Sequence, residues 1–257
     1  MNMKLFYREF GMSEKNLIVI HGLFGSSKNW IGNSKELSKD RKVYSIDLRN
    51  HGDSPHSDSH TLDDMISDLK EFIEDHKIEK PILLGHSMGG LNAMYFALRF
   101  PDLISGLIIV DIAPRNYEVQ YNKEFACLNL DVSQFTSRSD LDLKMSKIYP
   151  DPFIRQFLQM NLEKLETGYK WKLNVASLQA AKKALYFEKA NLQAFQKKSL
   201  FILGEDSDYI NNSDPDLIRS YFPNSEIKWI AAAGHYLHFT HQKQFMELCL
   251  DFLSNQE

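Results

Sequence analysis

The chain has 257 residues, of which 43% are hydrophobic and 25% are charged, with a formal net charge of −4 at pH 7. This composition is typical of a globular protein with room for one domain and an insertion, and the interspersed charges exclude a basic surface for nucleic acid. No apolar run approaches the ~20 residues of a membrane-spanning helix.

Short apolar runs alternate with segments of helical spacing along most of the chain. Such alternation predicts an α/β fold with a mostly parallel sheet and helices on both faces. Strands are predicted at residues 4–9, 17–20, 42–47, 81–84, 107–111, 199–203 and 226–231. Thr61 and Asp64 predict a capping box at the start of a helix, with Asp in place of the usual Glu.

The alternation stops between residues 115 and 191, where no convincing buried strand is found. Helical segments are predicted there at residues 119–129, 140–149, 153–166 and 175–187, and residues 168–174 are predicted to form a short extended turn. We interpret residues 115–191 as a helical lid inserted into a core formed by residues 1–114 and 192–257. An independent second domain is the alternative, although so short a piece would bury little core.

The stretch Gly85-His86-Ser87-Met88-Gly89 lies between a predicted strand and a predicted helix. A Gly-x-Ser-x-Gly sequence in this context is typical of a nucleophile elbow, a tight turn that presents the serine hydroxyl at the carboxyl edge of a sheet. Ser87 is therefore the candidate nucleophile. The alternative is a glycine-rich turn with an inert serine.

A serine hydroxyl needs a base within hydrogen-bond reach, and the chain has nine histidines. His235 follows the last predicted strand, which is where the chain order serine, acid, histidine places the base. His21 and His86 flank turns and are expected to support loops. The spacing of His235, His238 and His241 also resembles a metal site, but no metal is expected in a loop that runs into a helix.

The acid that would orient His235 has two possible origins. Asp206 and Asp208 follow the strand that ends near residue 203, and Ser207 occupies the usual aspartate position between them. Asp111 ends the preceding predicted strand. Because both loops open on the same edge of the sheet, the residues alone leave the choice open.

An acyl-transfer site also needs two donors for the oxyanion. The backbone N–H of Met88, directly after the candidate nucleophile, should be one of them. The N–H of Leu23, in the loop after the strand at residues 17–20, should be the other. A plain strand-to-helix turn is the alternative for this loop.

Aromatic residues near these loops and in the proposed lid are candidates for contacts with a substrate. We predict such contacts for Phe24, Tyr117, Trp171 and Tyr236. The alternative is that they simply pack the lid against the sheet.

The complete set of motifs is similar to that of α/β hydrolases, and in particular resembles the bacterial YbfF-type esterases. The resemblance is carried by the segments His21–Ser26, Asp47–Gly52, Gly85–Gly90, Val110–Pro114 and Ala233–His235. It implies the α/β-hydrolase fold with a helical lid inserted after the sixth strand. It also implies that Asp111 is the acid, since members of this branch have a serine where Ser207 stands.

The resemblance further implies esterase or acyl-thioesterase activity on a small acyl ester or an acyl-CoA, with no metal or organic cofactor. Two other classes of function remain open. One is carbon–carbon bond hydrolysis or a lyase reaction on the same fold, and the other is a non-catalytic binding module. A dehalogenase is disfavoured because its nucleophile is an aspartate, where this chain has Ser87.

Two features of the sequence indicate a cellular location. The two cysteines, Cys127 and Cys249, are too few for a disulfide framework and fit a reducing compartment. The first eight residues show no apolar core of a signal peptide. We therefore expect a cytoplasmic protein, whose oligomeric state the sequence does not indicate.

Overall fold

A computed structural model describes residues 3–118, 120–181, 185–187 and 192–255. Nine strands lie in these ranges: β1 (Tyr7–Phe10), β2 (Asn16–Ile20), β3 (Lys42–Ile46), β4 (Ile82–His86), β5 (Gly106–Val110), β6 (Leu162–Lys164), β7 (Tyr169–Trp171), β8 (Ser199–Gly204) and β9 (Ser225–Ile230). Ten α-helices accompany them: α1 (Ile31–Leu37), α2 (Leu62–Asp75), α3 (Met88–Arg99), α4 (Asn122–Leu128), α5 (Arg138–Ser146), α6 (Pro152–Gln159), α7 (Val175–Ala180), α8 (Asp214–Tyr221), α9 (Leu237–Thr240) and α10 (Gln242–Ser254). No helix within the described ranges has the length and apolar character needed to cross a bilayer.

Seven of these strands form one sheet in the order β1-β3-β2-β4-β5-β8-β9. All neighbouring pairs are parallel except β1 and β3, which are antiparallel at one edge. The mostly parallel α/β sheet predicted from the sequence is thus confirmed, with strand boundaries that shift by only a few residues. Because the inner strands are parallel, the loops at their carboxyl ends meet along one edge of the sheet.

The sheet is buried on both faces because successive apolar residues of its inner strands point to opposite sides. In β2, Ile18 and Ile20 pack into the apolar cluster that includes α2, α3 and α8, whereas Leu17 and Val19 pack into the cluster that includes α1 and α10. The other inner strands alternate in the same way. The helices therefore cover both faces and leave the loops at the carboxyl edge to form a site.

The predicted capping box at the start of α2 is confirmed. The Thr61 hydroxyl accepts a hydrogen bond of 3.1 Å from the Asp64 N–H, and the Asp64 carboxylate accepts one of 3.1 Å from the Thr61 N–H. Two N–H groups that lack partners within the helix are satisfied in this way.

The segment between β5 and β8 contributes α4 to α7 and the separate β6–β7 hairpin. It follows the fifth strand rather than the sixth, because one antiparallel edge strand and four parallel strands precede it. A third apolar cluster joins this segment to the loop after β2 through Phe24. The division of the chain into a core and a lid remains a prediction.

The helix predicted at residues 153–166 is wrong over its last part. α6 ends at Gln159, and the Asn161 side chain then donates hydrogen bonds to the carbonyls of Phe24 and Leu158, so that the chain turns away into β6. The extended turn predicted at residues 168–174 contains β7, which pairs with β6.

The helix predicted at residues 175–187 is also shorter in the structure. α7 ends at Ala180, and Leu185 to Phe187 are not helical. The intervening residues 182–184, and Val119 at the start of another predicted helix, lie outside the described residues.

Candidate active site

Ser87 lies in the turn between β4 and α3, with backbone angles of φ +53° and ψ −120°. These angles are sparsely populated for a residue with a side chain, so the surrounding turn must impose them. A Cβ atom on Gly85 would lie 2.3 Å from the carbonyl oxygen of Gly89, and one on Gly89 would lie 2.3 Å from that of Ile20. Only glycine fits at these two positions, as the sequence motif indicates.

His235 follows β9, and its Nε2 atom lies 2.9 Å from the Ser87 Oγ. The imidazole stacks on the ring of Tyr209, with 3.6 Å between ring centroids and 11° between planes. Behind it, the Nε2 of His86 donates a 2.9 Å hydrogen bond to the His235 carbonyl. Burial is the largest cause that lowers the pKa of His86 to about 3, and a proton on the adjacent His235 ring would lower it further, so that His86 is a neutral support.

Asp111 directly follows β5 and is fully buried. One carboxylate oxygen lies 2.8 Å from Nδ1 of His235 and accepts a second hydrogen bond from the Ser207 hydroxyl. The other oxygen accepts a 2.8 Å hydrogen bond from the Gly204 N–H. Burial alone would raise the pKa of Asp111, but these donors and the nearby imidazole outweigh it and hold the pKa below its ordinary value.

The other two carboxylates considered as the acid lie elsewhere. Asp206 and Asp208 are exposed on the loop after β8, and neither hydrogen-bonds to His235. Ser207, between them, points inward instead and donates to Asp111. The structure thus brings Asp111, and not Asp206 or Asp208, to the imidazole.

The hydrogen bonds of His235 fix its tautomer. An ionised carboxylate only accepts hydrogen bonds, so Nδ1 carries the proton that faces Asp111. In the neutral ring Nε2 is then an acceptor, and the Ser87 hydroxyl donates to it. The arrangement can therefore take the proton from Ser87 as its oxygen attacks an electrophile.

Two backbone N–H groups remain as candidates for an oxyanion hole. Met88 is the first residue of α3, where an N–H has no partner inside the helix. In the loop after β2, the N–H of Phe24 donates to the His51 imidazole and that of Gly25 donates to the Gly22 carbonyl. No described acceptor takes the N–H of Leu23, which leaves it available to a ligand.

Buried polar side chains hold the loop that contains Leu23. The imidazole of His21 donates from Nδ1 to the Gly22 carbonyl and accepts at Nε2 from the Leu48 N–H. Burial lowers the pKa of His21 to about 4, so the ring is neutral and can do both. Asp47, also buried, accepts hydrogen bonds from the N–H groups of Ser27 and Asp53. These contacts hold the loop on either side of the Leu23 N–H in place.

Ser87 and His235 open into a cavity of about 20 Å³, which is the scale of a single water molecule. Side chains from the core loops and from the inserted segment line it: Leu23, Phe24, His86, Tyr121, Glu124, Ile154, Phe157, Leu158, Tyr209 and Tyr236. A neighbouring cavity of about 700 Å³ shares Leu23 and Tyr121 with it, and another of about 680 Å³ shares Phe157.

The four residues predicted to contact a substrate fall in different places. Phe24 and Tyr236 line the cavity at Ser87. Tyr117 lines the adjacent cavity of about 700 Å³, and its hydroxyl accepts from the Ala113 N–H and donates to the Tyr209 carbonyl. Trp171 lies on the β6–β7 hairpin, where it packs against the apolar cluster of the inserted segment, so the structure does not bring it to Ser87.

Sequence reasoning gave no role to Tyr209 or Glu124, although both line the cavity at Ser87. Tyr209 follows Ser207 by two residues, so its place in the loop beside the candidate acid was a usable signal. Glu124 lies in a helical segment of mixed polarity, where a carboxylate ordinarily faces solvent, and nothing in its spacing marked it.

The histidines at spacing three do not converge. The His238 ring stacks on Trp30 at 4.6 Å, and the partly buried His241 hydrogen-bonds to the Thr240 hydroxyl. Across the described ranges, no three or more His, Cys, Asp or Glu side chains come together in a group that could hold a metal ion.

The parallel sheet and the serine turn at its carboxyl edge define the class of alpha/beta hydrolases. The sequence model of the family described as alpha/beta hydrolase fold matches residues 15–242, and the chain belongs to this family.

Its relatives include esterases and a lipase. The sn-1-specific diacylglycerol lipase ABHD11 of Danio rerio is 35% identical over 247 residues, which cover 92% of this chain and 78% of the relative. Esterase YbfF of Escherichia coli K12 is 32% identical over 225 residues and 86% of each chain. A solved marine microorganism esterase superimposes with a TM-score of 0.92 at 37% identity, over 97% of this chain and 99% of the other.

Proposed function

We propose that the chain is a serine hydrolase that cleaves carboxylic esters through Ser87, His235 and Asp111. The observation that carries this proposal is the unbroken line of hydrogen bonds from the Ser87 hydroxyl through His235 to the buried Asp111 carboxylate. The chain's membership of a hydrolase family with esterase and lipase relatives supports the same reaction class.

The proposed reaction begins when Ser87 Oγ attacks the acyl carbon and His235 Nε2 takes its proton. Asp111 keeps the ring in the required tautomer and stabilises the imidazolium that forms. The N–H groups of Leu23 and Met88 receive the oxyanion, and each such donor typically contributes about 10²–10³ in rate.

Collapse of the tetrahedral intermediate expels the alcohol, which takes the proton back from His235, and leaves an acyl-enzyme on Ser87. Water then attacks the acyl carbon while His235 takes its proton; the bond to Ser87 breaks, Ser87 Oγ regains a proton from His235, and the carboxylic acid leaves. The same steps apply to a thioester, whose leaving group is a thiol. An acyl-CoA substrate is therefore a second form of the same proposal.

The small cavity at Ser87 indicates how a substrate would have to enter. A volume of about 20 Å³ is too small for an acyl group, whereas the adjacent cavities are large enough for one. The shared side chains Tyr121 and Phe157 would have to turn aside to join these spaces. Both belong to the inserted segment, which is consistent with its proposed role as a lid.

The experiment that tests the proposal compares the wild type with Ser87→Ala on p-nitrophenyl esters of increasing acyl length and on the matching CoA thioesters. We expect the variant to lose roughly 10⁴-fold or more in hydrolysis rate. A fluorophosphonate probe should label the wild type at Ser87 and leave the variant unlabelled. Full activity of Ser87→Ala, or no labelling of the wild type, would contradict the proposal.

A further inference from the structure

A carboxylate lies in the wall of the cavity that contains Ser87 and His235. Glu124 on α4 contributes it, and the other side chains of the inserted segment at this cavity are aromatic or aliphatic. A charge in such surroundings is costly unless it is paired or hydrogen-bonded. The Tyr149 hydroxyl hydrogen-bonds to the Glu124 carboxylate, and the side chain is only partly buried, so the fold tolerates a charge at this place.

Within the described residues Glu124 forms no ion pair. Its neighbour Lys123 lies over the ring of Tyr149, 5.8 Å from the ring centre. The Tyr149 hydroxyl donates a hydrogen bond to the carboxylate: burial, followed by the charge of Glu124 and by this hydrogen bond, raises the pKa of Tyr149 to about 12. The same charge adds to the burial that raises the pKa values of Tyr121 and Tyr236. The negative charge of Glu124 therefore acts on tyrosine side chains around the cavity, and no cation among the described residues forms an ion pair with it.

A negative charge in the wall of so small a cavity acts on any charge that a ligand brings in, and most strongly once the ligand has displaced the water that screens it. A carboxylate on the acyl group would be repelled. A cationic group, or a hydroxyl that donates a hydrogen bond, would be attracted. The N–H donors proposed for the oxyanion belong to Leu23 and Met88, on the core loops rather than on α4, so Glu124 would act on the substrate separately from these donors.

We infer that Glu124 determines specificity: it excludes esters whose acyl group carries a carboxylate and favours those whose acyl group carries a cation or a hydrogen-bond donor. This inference rests on the proposed function, since it concerns substrates of the Ser87 reaction. It narrows the substrate class to uncharged or cationic acyl esters and disfavours half-esters of dicarboxylic acids.

The test uses three p-nitrophenyl esters of similar acyl length: neutral hexanoate, anionic glutarate and cationic 4-trimethylammoniobutyrate. The wild type should hydrolyse them in the order cationic, neutral, anionic by kcat/KM. In Glu124→Gln we expect the ratio of glutarate to hexanoate to rise about tenfold and the ratio of the cationic ester to hexanoate to fall by a similar factor. In Glu124→Lys the order should invert.

The matched control is Glu163→Gln, which removes the same charge from β6, where Glu163 pairs with Lys170 at 3.1 Å on the protein surface. Its substrate ratios should equal those of the wild type. Unchanged ratios in Glu124→Gln, with hexanoate hydrolysis intact, would overturn the inference. An equal loss on all three esters would also overturn it and would assign Glu124 a general role in supporting His235 or the fold.

Failure of the proposed function gives a different result. In that case no ester is hydrolysed by any variant, and the fluorophosphonate probe does not label Ser87. Both proposals would then fall together. Hydrolysis with unaltered ratios removes the specificity inference alone.

Discussion

Three side chains from distant parts of the chain carry the proposed chemistry. Each follows a strand of the sheet, and contacts with nearby residues fix its position. Ser87 is fixed by its cramped turn, and His235 is held between Tyr209 and His86. Asp111 also has φ +53°, and its carboxylate reaches Gly204 and Ser207 across the β5–β8 pair. The strain at two of the three positions is consistent with selection for function rather than for stability.

The contribution of Asp111 can be separated from that of its acidic neighbours. Asp111→Asn should lower kcat for ester hydrolysis by roughly 10³- to 10⁴-fold, because a neutral amide neither fixes the tautomer of His235 nor stabilises its charge. Asp208→Asn, which changes an exposed side chain of the same kind, is the control and should retain activity within about twofold. Steady-state kinetics on one p-nitrophenyl ester is the measurement. An active Asp111→Asn beside an inactive Asp208→Asn would reverse the assignment.

The sequence alone could identify Ser87 and His235 as candidates, because a motif and a chain order point to them. It could not select the acid from the residues themselves. Asp111, Asp206 and Asp208 all follow strands that end on the same edge, and a shift of one residue along a loop turns a side chain from the imidazole to solvent. Only the resemblance to a family favoured Asp111. The role of Glu124 was out of reach because it depends on how α4 lies over the site.

β4, the turn at Ser87 and α3 form one closely packed unit. The two glycines of this unit allow α3 to approach β2 and β4 at backbone contact distance. The close approach sets the direction in which the serine side chain leaves the sheet. The effect of this close approach can be tested by adding one methyl group at Gly89.

Gly89→Ala should disrupt this unit. The added Cβ would lie 2.3 Å from the Ile20 carbonyl oxygen and 2.5 Å from that of His21, and these backbone atoms cannot move aside without displacing β2. We expect a loss of stability of about 1–3 kcal/mol or more and a loss of ester hydrolysis of at least about 10²-fold. Thermal unfolding and the rate of fluorophosphonate labelling measure the two effects.

Gly32→Ala is the matched control for the same chemical change. A Cβ on Gly32, in α1, would meet only the end of the Gln242 side chain at 3.7 Å, which is an ordinary contact. Alanine is favoured over glycine in a helix by about 0.5–1 kcal/mol, so this variant should be as stable as the wild type or slightly more so, with unchanged activity. Equal behaviour of the two variants would refute the steric argument.

The elements of the core were predictable because continuous apolar runs that are buried on both faces of a sheet leave little choice of structure. β2, β4, β5 and β8 were all found this way. The β6–β7 hairpin was not, because Leu162–Lys164 is short and largely polar and continues the helical spacing of α6. What ends that helix is the Asn161 side chain bonded to Phe24, a contact between residues 137 positions apart that no local pattern contains.

Five histidines are buried in or near the carboxyl edge of the sheet: His21, His51, His60, His86 and His238. Burial is the largest cause that lowers the pKa of each of them, to about 4 for His21 and about 3 for His60 and His86. They are therefore neutral in the folded protein at pH values where the unfolded chain binds protons.

The sign of the resulting pH dependence follows from linkage. Between the unfolded pKa of about 6.5 and the lowered folded values, the unfolded state holds more protons, so the free energy of unfolding falls as the pH falls. Each fully neutral histidine contributes about 1.4 kcal/mol per pH unit within that window. The protein should accordingly lose stability steeply between about pH 6.5 and pH 4, and urea unfolding at several pH values measures the slope.

The contribution of a single buried histidine, His60, to this pH dependence can be measured. Neither ring nitrogen of His60 has a hydrogen-bond partner among the described residues, so His60→Leu removes a titrating group without breaking a hydrogen bond. We expect the slope of unfolding free energy against pH at pH 5 to decrease by about 1.4 kcal/mol per unit. The exposed His56 provides the control, since His56→Gln should leave the slope as in the wild type. A slope that His60→Leu does not alter would show that His60 is charged in the folded state.

The hydrogen bond from the His86 ring to the His235 carbonyl has a mechanical consequence. The residue that grips the imidazole-bearing loop is the immediate chain neighbour of the serine, so a displacement of the turn carries that loop with it. If the inserted helices act as the proposed lid, their movement to admit and release ligands would leave the spacing between Ser87 Oγ and His235 Nε2 preserved.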